Sequence, residues 1–130
     1  MPDKVRCFIS FDFDHDEDLR NLLDGQAKNT DSPFEIANWS LKEPFTGDWK
    51  KKVRERMSRT QQVIVICGTH THTATGVGVE VSIAQDLPRS YFLLKGRSNQ
   101  TCTKPATAKT SDKIYNWTWE NLKKLIHGAR

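Results

Sequence analysis

Four apolar residues in a row, Val63 to Ile66, followed by Cys67-Gly68, constrain this chain more than any other stretch. A strand that is apolar at every position has no solvent side, so both of its faces are buried. Such strands belong to parallel sheets covered by helices on both sides. Beyond it runs a loop rich in Thr and His, GTHTHTATGVGVE, with a single carboxylate, Glu80, where the next helix is expected to begin. Ligands of open α/β sheets bind in the crevice outside the carboxyl ends of the strands. Glu80, placed there among small polar residues, is the candidate for chemistry.

Strand-like and helix-like segments alternate along the chain. Lys4–Phe11 (KVRCFISF) is predicted as the first strand, and Asp16–Lys28 as the first helix, with acids in its first turn to suit the helix dipole. Phe34–Trp39 is a short second strand, and Thr46 opens a second helix that runs to about Arg59. Gln62–Cys67 is the third strand, Val77–Gln85 the third helix and Ser90–Leu94 the fourth strand. The Thr/Lys/Ser-rich stretch Gly96–Asp112, with Pro105, reads as a surface loop. Lys113–Asn116 is a short fifth strand, and Trp117–His127 is the last helix, with Trp119, Leu122, Leu125 and Ile126 on one face. This alternation implies right-handed parallel crossovers. At 130 residues it predicts a single domain over residues 1–130: a flavodoxin-like three-layer α/β/α sandwich with a five-stranded parallel sheet.

Composition narrows the function classes. A hydrophobic content of 36% and a mean hydropathy of -0.66 describe a soluble chain with a lean core. No apolar run approaches the ~18–20 residues of a membrane span. The start, MPDKVRCFIS, is not a signal peptide, so a cytoplasmic location is expected. The three cysteines, Cys7, Cys67 and Cys102, show no CxxC spacing, and the first two lie inside predicted strands as reduced thiols. The net charge of +4 is unevenly spread. Lys50, Lys51, Lys52, Arg54, Arg56 and Arg59 interleave with Trp49, Val53 and Met57, the pattern of a solvated face on an amphipathic helix. No aromatic or Gly-rich motif beside them points to nucleic acid.

Several chemistries fail on their own residues. A phosphotransfer receiver needs an acceptor Asp at the end of the third strand, where Cys67-Gly68 stands. A tyrosine-phosphatase cradle needs Arg six residues after Cys67, and that residue is Thr73. No GxGxxG or GxxxxGK[ST] phosphate loop is present. His70 and His72, with His15 and Asp14, raise a metal site, but zinc takes at least three protein ligands and the third would have to come from the Asp12–Asp16 loop; no metal is expected. Glu80 has an ordinary alternative, an acid at a helix N-terminus. Trp49 and Trp119 fall on apolar helix faces and are expected in the core, as is Trp39, which otherwise lines the cleft or an assembly surface.

Three segments in register, KVRCFISFDFDHDEDLRNLL, VIVICGTHTHT…VGVEVSIA and IYNWTWENLKKLI, resemble the bacterial and archaeal TIR-like family. This is a short variety of the Toll/interleukin-1 receptor domain that includes the TIR-like component of Thoeris antiphage defence. The resemblance implies cleavage of NAD at the nicotinamide–ribose bond, with NAD as substrate and no cofactor. In some members a cyclic or conjugated ADP-ribose signal follows. Glu80 matches the family's catalytic glutamate. Ser10, Phe11 and Asp12 match the loop after the first strand that borders the nucleotide, and Gly68, Thr69 and Thr71 the loop facing it. The family commonly has Trp four residues before that glutamate, where this chain has Gly76.

One carboxylate suffices for such a reaction. Breaking the N-glycosidic bond passes through an oxocarbenium-like ribose, which a neighbouring carboxylate stabilises. Nicotinamide, cationic in NAD, leaves without an acid. Ser10, Thr69 and Thr71 have hydroxyls for ribose or phosphate, or equally for local turns. The rival reading is a non-catalytic module that self-associates, or docks an effector protein, through the Ser40–Gly47 loop (Phe45 included) and the basic second helix. Gly76 favours it. A third is a nucleotide-binding sensor of the flavodoxin-like class.

Overall fold

A computed structural model describes residues 4–37 and 47–128. Its sheet has five strands, all parallel, in the order β2-β1-β3-β4-β5. The strands are β1 (Val5–Ser10), β2 (Phe34–Ile36), β3 (Gln62–Cys67), β4 (Tyr91–Lys95) and β5 (Ile114–Asn116). The helices are α1 (Glu17–Ala27), α2 (Gly47–Ser58), α3 (Thr75–Asp86) and α4 (Trp119–Ile126), with a 3-10 turn at Thr71–Thr73. This is the flavodoxin-like arrangement that the alternation predicts.

The two faces of the sheet carry separate apolar layers. Cys7, Ile9, Ile64, Ile66, Phe92 and Leu94 pack under α1 and α4, against Leu19, Leu23, Leu122 and Ile126. Phe8, Val63, Val65, Cys67 and Leu93 pack under α2 and α3, against Trp49, Val53, Met57, Val77 and Val81. Every residue of β3 is buried, so alternate residues of one strand feed both layers. Trp49, Val53 and Met57 all point inward, leaving the lysines of α2 in water. Trp119 is partly buried on the α1/α4 layer.

Boundaries differ from the expected ones where local signals are weak. β2 ends at Ile36, short of Trp39. Trp39, Phe45 and the loop between them fall outside the described residues. α3 begins at Thr75, two residues earlier than expected, and this places Glu80 in its second turn rather than at its start. The Gly96–Asp112 stretch is a loop, as expected, and it is tethered: Thr103 N–H donates to Gly68 O at 2.9 Å, Thr107 Oγ1 donates to Gly78 O at 2.5 Å, and Pro105 is buried. Among the described residues, no helix is long and apolar enough to cross a membrane.

Gly68 is fixed by Asp16, the residue that precedes α1 in the neighbouring loop. A Cβ there would lie 2.3 Å from Asp16 Oδ2 and 2.7 Å from its Cγ. Asp16 is buried and held, so it yields little. Gly68→Ala is therefore expected to destabilise the fold by about 1–3 kcal/mol, measured as a lowered urea midpoint.

Candidate active site

β1 and β3 deliver their C-terminal ends to one edge of the sheet, paired Ser10 to Val65. Ser10 closes β1 on the α2/α3 face, and α3 crosses that face. Its second turn carries Glu80 inward, only 7% exposed. Ser10 Oγ donates to Glu80 Oε1 at 2.7 Å across 70 residues of sequence. Burial pushes the Glu80 carboxyl up to about 8, and the Ser10 hydroxyl, which favours the charged form, pulls against that shift. No cation among the described residues pairs with it: the carboxyl is buried, hydrogen-bonded and short of a positive charge. An acid in the second turn gains little from the helix dipole, so the ordinary reading of Glu80 as an N-terminal acid does not hold.

The other residues singled out from the sequence divide into rim and scaffold. Asp12 is buried, with Oδ1 accepting from Asp14 N–H at 3.0 Å and Oδ2 2.7 Å from His15 Nδ1. Thr69 Oγ1 lies 3.0 Å from His70 Nδ1, and the His70 ring stacks on His15 with centroids 4.1 Å apart. The loops after β1 and β3 thus touch through two imidazoles. Thr71 is fully buried, and its hydroxyl accepts from Gly68 N–H at 2.7 Å, so it shapes the loop. Phe11 packs against Phe13 in the α1/α4 layer, on the opposite face from Glu80. Of the set, Ser10 is the one shown bonded to Glu80. Burial pushes the Cys67 thiol up to about 12, with Cys102 and Asp16 adding to the effect, so it is no nucleophile at neutral pH. Among the described residues no group of three or more His, Cys, Asp or Glu is placed to hold a metal ion.

One supporting element escaped the sequence reading. Arg97, just beyond β4, bonds Asp16 Oδ1 at 3.2 Å, Asp18 Oδ1 at 2.9 Å and the His15 carbonyl at 2.9 Å. It ties the loop after β4 to the start of α1, under Gly68. Burial still raises the Asp16 carboxyl, with Arg97 opposing, and Asp16 Oδ2 is left without a hydrogen-bond partner. No local signal marks a contact between residues 81 positions apart.

Compared with known families, residues 8–99 match the family described as "Thoeris protein ThsB, TIR-like domain". That span runs from β1 through β4 and includes Ser10, Gly68 and Glu80. The chain belongs to this family. It is a TIR-like protein of Thoeris antiphage defence, and the parallel sheet with its four helices is the TIR-like version of the flavodoxin arrangement. β5 and α4, whose sequence also carried the resemblance, lie beyond the matched residues. No curated protein matches the chain.

The raised Glu80 pKa has a signed effect on the stability of this TIR-like protein. The native carboxyl keeps its proton to about pH 8, whereas the unfolded one loses it near 4.5. Between these values only the unfolded state gains by ionising, so stability falls as pH rises through this window. Glu80→Gln, which is neutral throughout, is expected to match the parent at pH 4.5 and exceed it at pH 8 by up to about 4 kcal/mol. Urea titrations at the two pH values check this.

Proposed function

We propose that this protein cleaves NAD at the bond between nicotinamide and ribose, with Glu80 as the catalytic residue. The observation that carries the proposal is a buried carboxyl with one hydroxyl partner, Ser10, and no cation beside it among the described residues. A site short of one positive charge suits a substrate that brings one. NAD does so twice, first as nicotinamidium and then as the ribosyl oxocarbenium. A neighbouring cation favours ionised Glu80, so substrate binding itself prepares the carboxylate. The C1′–N bond then breaks, its electron pair goes to the ring nitrogen, and neutral nicotinamide leaves. Glu80 stabilises the developing ribosyl cation by the charge of its carboxylate. Water attacks C1′ and its proton passes to Glu80 or solvent, giving ADP-ribose. An internal or added nucleophile at the same step gives a cyclic or conjugated product. In this reading Ser10, Asp12, Gly68 and Thr69 border the nucleotide, Thr71 holds their loop, and Phe11 supports β1 from behind.

Incubating the protein with NAD and following nicotinamide by chromatography tests this. Glu80→Gln is expected to lower the rate at least about 100-fold, and an unchanged rate overturns the proposal. In the active protein, kcat/KM is expected to rise about tenfold per pH unit and level off near pH 8, as the free carboxyl ionises. The kcat profile is expected to level off at lower pH, because bound nicotinamidium favours the charged form. Ser10→Ala removes the hydroxyl that favours the carboxylate, so it shifts the kcat/KM profile upward.

A second reading has its own support. Arg6 of β1, Arg56 of α2 and Arg59 just beyond it line a hollow of about 310 Å³ beside Ala37, and Lys50, Lys51 and Lys52 stand exposed on α2. This positive surface suits an acidic partner protein or a second copy, the interaction module expected as the alternative. Association that depends on concentration, and function that survives Glu80→Gln, favour that reading.

A further inference from the structure

Asp12 and His15 form a carboxylate–imidazole pair in the loop that follows β1. Asp12 Oδ1 accepts from the Asp14 N–H at 3.0 Å, and Oδ2 lies 2.7 Å from His15 Nδ1. The two partners differ in exposure: the Asp12 side chain is 8% exposed and that of His15 47%. A buried acceptor facing Nδ1 selects the neutral ring that carries its proton there and its free lone pair on Nε2. Nε2 has no hydrogen-bond partner among the described residues.

The ring is also held in place. His70 stacks on one face, with centroids 4.1 Å apart and planes 16° from parallel. The His15 N–H donates to Asp12 O at 3.3 Å, and its carbonyl accepts from Arg97 at 2.9 Å. His72 differs: its Nδ1 meets the Thr103 hydroxyl at 2.9 Å, with no carboxylate to orient it. An imidazole oriented by a buried carboxylate, packed on one face and open at Nε2, has the construction of a general base.

Its place is the rim of the Glu80 site. Asp12 follows Ser10 by two residues, so their Cα atoms lie within about 7 Å of each other, and Ser10 is bonded to Glu80. His70 belongs to the loop after β3, so the stacked rings stand where the ends of β1 and β3 meet, in the strand-end crevice of the sheet.

We propose that Asp12 and His15 are a second catalytic unit at this site, with His15 Nε2 as the base that takes the proton from the acceptor attacking C1′. This rests on the NAD cleavage proposed above and supplies the step after nicotinamide has left. A lone pair of water or of an alcohol forms the new C1′–O bond, the O–H electrons stay on oxygen, and the proton passes to Nε2 and from there to solvent. Glu80 stabilises the ribosyl cation, and Asp12 stabilises the imidazolium as it forms.

Two rates, measured on the full chain with NAD, test this: formation of the ADP-ribosyl product, and return of isotope-labelled nicotinamide into NAD. The ring nitrogen of nicotinamide carries no proton, so exchange needs Glu80 but no base. His15→Ala is expected to lower kcat for product formation about 100-fold with KM little changed, and to leave exchange at the parent's rate. Added imidazole is expected to restore product formation in that variant. His15→Gln, whose amide is a donor but takes no proton, is expected to behave as His15→Ala does. Glu80→Gln is expected to lose both rates. Equal loss of product formation and exchange in both His15 variants, or no change in either rate, overturns the role of His15 while the NAD reading stands. A parent protein that neither releases nor exchanges nicotinamide overturns both.

Discussion

A carboxyl group buried against a parallel sheet with a single hydroxyl for company governs this molecule. Removing a charge from water is costly, and the fold meets that cost by keeping Glu80 protonated at neutral pH. Nothing in the packing requires an acid there, because Val77, Val81 and Ala84 of the same helix already fill the apolar layer. A leucine at that position would bury more apolar surface with no desolvation penalty. Retaining an acid in such surroundings makes sense where its charge is wanted only once a cation arrives. Glu80 lies within the residues that match the TIR-like family.

The surroundings are built to hold that edge of the sheet still. Gly68 lies against the Asp16 carboxyl, Asp16 is tied to Arg97, and Thr103 bonds the Gly68 carbonyl from the far side. Three loops that follow three different strands become one unit. The stacked His15 and His70 rings join the first two of these loops at the surface. Rigid support of this kind lets a single hydrogen bond, from Ser10 to Glu80, keep its geometry without a second polar partner.

Much of this was legible in the chain itself, for identifiable reasons. The run Val63–Ile66 marks a strand buried on both faces, and the strand–helix alternation then fixes a parallel sheet. The i, i+4, i+8 spacing of Trp49, Val53 and Met57 correctly assigned the inner face of α2. Glu80 was singled out because it is the lone acid in the segment that follows that central strand, and the structure buries it on α3. What stayed hidden depends on distance along the chain. The bond from Ser10 to Glu80, and the link from Arg97 to Asp16, join residues 70 and 81 positions apart. The burial of Thr71 was equally hidden, since a threonine in a polar loop looks the same whether its hydroxyl faces ligand or backbone. The early start of α3 was missed because Thr-Gly-Val-Gly has little helix propensity, and contacts with the sheet override it.

The sheet ends in two very short margins. β2 and β5 have three residues each, against six in β1 and β3. A margin that brief offers an incoming chain few unpaired amides, so strand addition gains little from it. Lateral growth into fibrils is correspondingly disfavoured, even at high concentration. Any higher-order arrangement of these subunits would have to be built from helix faces and connecting segments, which can separate again, and not from an extended ladder, which cannot.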